Sequence, residues 1–266
     1  GVKASATASA AVLTNSGSGY SNLSNNDDIT FSITGSADVA QVAMLAADTK
    51  DANSIAISVG ITDTLSNLME MSGTDAVAKT NYSTALSRTT GEPITVTEGA
   101  SDTVINVTDA NAVNTVKQIN KLIELANAES SNVTMSIQDD SSDNKILTTG
   151  TVITGAASGS QISVALGTVA ATDSLLTAID TLGAQNGISS ITADITGMNT
   201  ARITTLESLT NISSTDSKYQ LNFTTSGKIT LAKAKALAGK TALNSTSAID
   251  YAANITGTST QFYNTG

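Results

Sequence analysis

"VTDANAVNTVKQINKLIELANAESSNVTMSIQD", residues 107–139, begins with a helix-start signal and ends as an alternating strand. Thr108 and Asp109 carry side-chain oxygens that can accept from the orphan N–H groups of a first helical turn. Behind them Val113, Val116, Ile119, Leu122 and Ile123 recur at helical spacing and form one apolar stripe. The segment "NVTMSIQ" (132–138) then alternates, which places Val133, Met135 and Ile137 on one face of a strand. Each apolar face needs cover, so the stretch predicts a helix stripe buried against strand residues.

Working outward, the same grammar recurs. "ITGSADVAQVAMLA" starts at Ile33, "ITDTLSNLMEMSG" at Ile61, "ITGMNTARITTLESL" at Ile195 and "ITLAKAKALAG" at Ile229. The unit reads [Ile/Val]-Thr-[Asp/Gly], a short helix, a polar loop and a strand. Thr62 and Asp63 are expected to cap one helix, and Thr230 another, with Gly239 after it. In "ATDSLLTAIDTLGAQNG" Asp173 is the expected cap. Leu175, Leu176, Ile179 and Leu182 share a face there, and Gly183 stands where a left-handed residue would end the helix. Strands are predicted at 54–61, 132–138, 161–166, 187–195 and 219–224, where residues alternate or are β-branched.

Strand–helix alternation favours parallel pairing. Unit starts at 33, 61, 107, 153, 195, 229 and 255 are 26 to 46 residues apart, within the range of stacked repeats. The expected fold is therefore α/β, an irregular repeat solenoid of β-strands with short capped helices. The alternative is a β-rich sandwich with helical insertions, for which one Pro and 19 Gly supply little turn punctuation. Residues 1–30 read as an N-terminal arm or strand, because "SATASAAVLT" (5–14) alternates and could be donated to a neighbouring subunit. Residues 31–266 read as a repeat-built elongated domain, divisible into two sub-domains near 145–160.

Composition narrows the function. The chain of 266 residues has no Cys, His or Trp, while Ser and Thr make up about 29% of it. Apolar residues reach 40% and aromatics only 3%, so aliphatic side chains must build the core and the chain is expected to fold. A net charge of −10 disfavours nucleic acid and anionic membrane surfaces, which both need Lys and Arg clusters. No stretch approaches the roughly 18 apolar residues of a spanning helix. A start at Gly1 fits a removed leader or a piece of a larger chain.

Without His or Cys the usual nucleophile–base pairs are missing, and no phosphate-cradling loop or nucleophile elbow occurs. The reading is non-catalytic. Calcium is the one cofactor with any sequence support. In "QDDSSDNKIL", Asp139, Ser141 and Asp143 reproduce the first alternating oxygens of a calcium loop, with Asp140 beside them. Asn144 stands at the position of the loop's glycine and Gly150 at that of its bidentate Glu. Asp27 and Asp28 in "NNDD" offer a second oxygen cluster. Eight Asn-X-Ser/Thr triplets would accept glycans in an organism that attaches them.

The repeated "[IV]T(D/G)" openings followed by "T/N-V/I-T" strands resemble the tandem-repeat regions of very large bacterial surface proteins. Those of marine cyanobacteria are the nearest in type, with S-layer proteins and RTX-type adhesins as looser likenesses. The resemblance covers most of residues 30–260 and transfers no functional residue. It implies an extracellular, cell-surface protein that self-associates into a filament, coat or array. Rival expectations are an adhesin binding module and a phage fibre component.

Overall fold

The computed structural model describes residues 3–15, 28–49, 51, 54–98, 104–140, 144–148, 153–241, 249–251 and 255–256. It is an α/β chain with mostly parallel sheets and no closed barrel. Two compact units alternate along the sequence. The first takes residues 1–105, 113–136 and 153–161, and the second takes 106–112, 137–152 and 162–266.

In the first unit, β1 (Lys3–Ala8), α1 (Ala10–Leu13) and β2 (Asp28–Ile33) are followed by β3 (Ser36–Ala37) and α2 (Val39–Ala46). Next come β4 (Ile55–Ile57), β5 (Gly60–Thr64), the single-turn α3 (Leu65–Leu68) and the strands β6 (Met69–Ser72) and β7 (Asp75–Ala78). After α4 (Thr80–Leu86) and β8 (Ile94–Thr97), the chain forms β9 (Val104–Val107), α5 (Ala112–Ala128) and β10 (Val133–Asp139), and the boundary between units falls within these last three. One parallel sheet has the order β1-β2-β4, and another runs β3-β5-β8, with Val133 and Thr134 of β10 beside Ile94 and Thr95. The pair β6–β7 is antiparallel.

The second unit contains α6 (Lys145–Thr148), β11 (Gln161–Ala170), α7 (Asp173–Gly183), β12 (Ile188–Met198) and α8 (Thr200–Ser208). It ends with β13 (Tyr219–Thr225), α9 (Leu231–Ala238) and β14 (Ile249–Tyr251). The four strands β11-β12-β13-β14 pair in parallel in that order. A sandwich requires antiparallel sheets; β6–β7 is antiparallel, whereas the ladders β1-β2-β4, β3-β5-β8 and β11-β12-β13-β14 are parallel.

Apolar periodicity explains what is buried. Ile191, Ile195, Leu221 and Phe223 of β12 and β13 are buried, as are Leu176, Ile179 and Leu182 of α7. Each such side chain contributes about 1.5–3 kcal/mol when fully covered. In α5, Val116, Ile119, Leu122 and Ile123 are buried as expected, and so are Val133, Met135 and Ile137. Val113, the second residue of the helix, departs from its stripe and stands 48% exposed.

The Ile-Thr-Gly at 33–35 and at 195–197 proves to be a bend rather than a cap, and the Thr-Ser-Gly at 225–227 bends in the same way. Gly35, Gly197 and Gly227 adopt φ of +98°, +76° and +76°, with open space where a Cβ would stand. Only conformation selects glycine there. The strand kinks at that residue, and the helix starts later at its own cap: Asp38 for α2, Asn199 for α8 and Thr230 for α9. The expected strand 54–61 is likewise two strands in different sheets, broken at Ser58–Val59 before Gly60 (φ +103°).

Two other cap assignments shift. Thr172, not Asp173, caps α7 by accepting from the Leu175 N–H, and Asp173 is the first helical residue. Gly183 is helical rather than left-handed. A Cβ there would overlap the Tyr219 ring and hydroxyl, so glycine is required by close approach. In the turn before α5, Asn111 Oδ1 accepts from the Thr108 N–H at 2.8 Å. Residues 3–8 form strand β1, paired in parallel with the chain's own β2, and residues 10–13 a single helical turn.

Candidate functional site

Carboxylates are the strongest chemical groups in the chain, and three buried ones are aimed at backbone amides. Asp63, 8% exposed on β5, accepts at Oδ2 from the Val39 N–H (3.0 Å), at the start of α2. Its Oδ1 takes the Thr64 N–H and the Asn67 amide, at 2.8 and 2.7 Å. The expected cap residue thus caps the helix of the preceding βα pair rather than its own. Asp180 on α7 accepts from the backbone N–H groups of Asn211 and Ile212, both at 2.9 Å, and from Asn211 Nδ2 at 2.8 Å. Asp139 at the end of β10 is 4% exposed and accepts at Oδ2 from the Ile146 N–H at 2.9 Å.

Other side chains make the same kind of link. Glu92 accepts from the Ile57 N–H, Ser160 Oγ from the Val133 N–H and Asn120 Oδ1 from the Thr154 N–H. Lys218 Nζ donates to the Gly183 carbonyl at 2.7 Å, and Lys240 Nζ to that of Leu209. These five bonds join segments 27 to 35 residues apart. Burial pushes the Glu92 carboxyl above its ordinary range, outweighing the Ile57 N–H, which pulls it down. Asp173 moves the other way, held below the carboxylate range by hydrogen bonds from Thr205 and Arg202 across to α8.

Two concavities exist among the described residues of the separate units. In the first unit a cleft of about 450 Å³ is lined by Asp38, Asp63, Asn67, Glu70, Lys79 and Asn81, among others. Asp38 there forms a capping box with Gln41, so two of the cleft's three carboxylates already serve helix α2. In the second unit a groove of about 270 Å³ runs over the outer face of the sheet, with Gln138, Thr192, Asp194, Gln220 and Asn222 along it. Asn222 Nδ2 donates to Asp194 Oδ1 at 2.6 Å across paired positions. This face offers small polar groups in rows and can hydrogen-bond an extended ligand, but it holds no nucleophile–base pair.

Of the residues expected to bind calcium, the structure describes Asp139, Asp140 and Asp28. Asp139 faces inward on Ile146, Asp140 Oδ1 accepts from Gln138 Nε2, and Asp28 opens β2 opposite Lys3. Asp27 and Asp143 lie outside the described residues. Among the described residues no group of three acidic side chains is placed to hold a metal. Sequence reading missed the bracing role of Asp63 and Asp180. The available signal was an acidic residue on an otherwise apolar helix face, as Asp180 is beside Ile179. Comparisons with family models, curated proteins and solved structures find nothing that matches the chain.

Proposed function

We propose that the chain is a non-catalytic structural protein of the bacterial cell surface, working outside the cell. Its βα units form an irregular α/β solenoid that self-assembles into a filament, coat or S-layer-like array. The observation that carries this reading is the use of polar side chains. Asp63, Asp180, Glu92, Ser160 and Lys218 each tie one βα segment to backbone groups of another about one repeat away. Stacked units that contact only their neighbours are the physical form of a solenoid, and such a stack is open to continuation at its ends. An extracellular place is supported by the Cys-free, Ser/Thr-rich, acidic composition.

Electron microscopy of the purified chain, with sedimentation velocity over a range of concentrations, tests the proposal. Filaments or sheets that grow with concentration support it, and a monomer at all concentrations overturns it. The polar groove on the second unit favours a second reading, an adhesin module that binds an extended glycan or peptide. That reading predicts a saturable ligand and no polymer.

A further inference from the structure

The first strand has a neighbour on one side only among the described residues. The Thr34 N–H donates to the Ala8 carbonyl at 2.9 Å, so the peptide groups of Ala8 point at β2. In a parallel ladder one residue's N–H and C=O point the same way, and alternate residues point opposite ways. Ala4 and Ala6 therefore also face β2, while Ser5 and Thr7 turn their N–H and C=O groups to the open edge. Edges of this kind are normally blunted by Pro, charge or a bulge. Strand β1 has no Pro, and its one charge is Lys3.

In the second unit β14 is the last strand of its ladder among the described residues. Both terminal strands have incompletely covered core-side residues. Ala6 and Ala8 are half-buried, and so are Ile249 and Tyr251, whereas their ladder neighbours Ile33 and Phe223 are buried.

The bend glycines give the two strands a common reference. Ala8 pairs with Ile33, two residues before Gly35, and Tyr251 pairs with Thr225, two residues before Gly227. We infer that β1 of one copy adds in parallel to β14 of a second copy, head to tail, with Ala8 beside Tyr251. In that register Ala6 lies beside Ile249, a small residue against a large one. Thr7 lies beside Asp250 on the solvent face, where its hydroxyl can donate to the carboxylate. Ser5 and Thr7 gain partners for their outward peptide groups. Because the two surfaces differ, each addition leaves a new open end, and the assembly grows as a filament unless the rotation between copies closes it into a ring. The inference rests on the self-assembly proposed above and names the surfaces that carry it.

The test compares the full chain with Thr7→Asp, Ser5→Pro and the double variant Thr7→Asp/Asp250→Lys by sedimentation velocity, after circular dichroism confirms an unchanged fold. Thr7→Asp sets like charges opposite each other and should raise the concentration needed for assembly by about tenfold. The added Lys should restore assembly in the double variant. Ser5→Pro removes an outward N–H without touching the bonds to β2 and should weaken assembly independently. Assembly of Thr7→Asp and Ser5→Pro at the unmodified chain's concentration overturns this interface while leaving self-assembly standing. A double variant no better than Thr7→Asp overturns the Thr7–Asp250 register. An unmodified chain that never assembles overturns the proposed function, and this interface with it.

Discussion

Asp180 illustrates how one residue can hold several backbone groups at once. Its two carboxylate oxygens serve the Asn211 and Ile212 amides and the Asn211 side chain, 31 to 32 residues away. Replacing it by Ala leaves the buried Ile212 N–H without an acceptor, and unfolding in urea should show a loss of about 1–3 kcal/mol. Glu92 is the opposite case, a carboxylate whose burial outweighs its hydrogen bond. Its folded-state pKa is raised, so the folded protein holds the proton more tightly than the unfolded chain. Stability from this group is present at low pH and declines as pH rises through the unfolded value of 4.5 toward the higher folded one. Glu92→Gln keeps an acceptor for the Ile57 N–H without the charge. It should be at least as stable as the parent at pH 7, and urea midpoints at pH 4 and 7 should lie closer together. The role of Glu92 was not readable from sequence, because an acid in a loop looks the same whether it faces water or a distant amide, and that of Asp180 showed only as an acid among the apolar residues of α7.

At the level of elements, caps and bends separate what was legible from what was not. The stripes of α5 and α7 and the strands near 133–139, 188–198 and 219–225 follow from period alone. The helix starts do not, because "Ile-Thr-Gly" serves equally for a strand that ends and for one that bends. At Gly35 the chain kinks and stays extended until Asp38 supplies the cap. Thr172 and Asp173 differ by one residue, and only the backbone decides between them. Thr172→Ala should cost about 1 kcal/mol in urea unfolding, with a smaller loss for the exposed Asp173→Ala. Gly227→Ala should cost about 1–2 kcal/mol by the same measurement, although nothing crowds the new methyl, because φ stays at +76°. The candidate site was the least legible part. Terminal strands become edges only once pairing order is known, and alanines at positions 4, 6 and 8 carry no chemical signature of their own.

For the whole molecule, the formal charge of −10 opposes any contact between copies. At about 0.01 M salt that repulsion reaches roughly 30 Å, and near 0.15 M only about 8 Å. Assembly followed by light scattering should therefore strengthen as salt rises over this range, opposite to what an interface dominated by attraction between unlike charges would show. The bracing bonds have a further consequence, in time rather than in space. Asp63 reaches back to Val39, Lys218 to Gly183 and Lys240 to Leu209, each toward chain that precedes it by 24 to 35 residues. A segment emerging from a ribosome or a secretion pore finds its partner already outside. Little loop entropy separates it from docking, and contacts this local in sequence favour rapid folding. The chain is thus suited to fold in the order in which it is delivered.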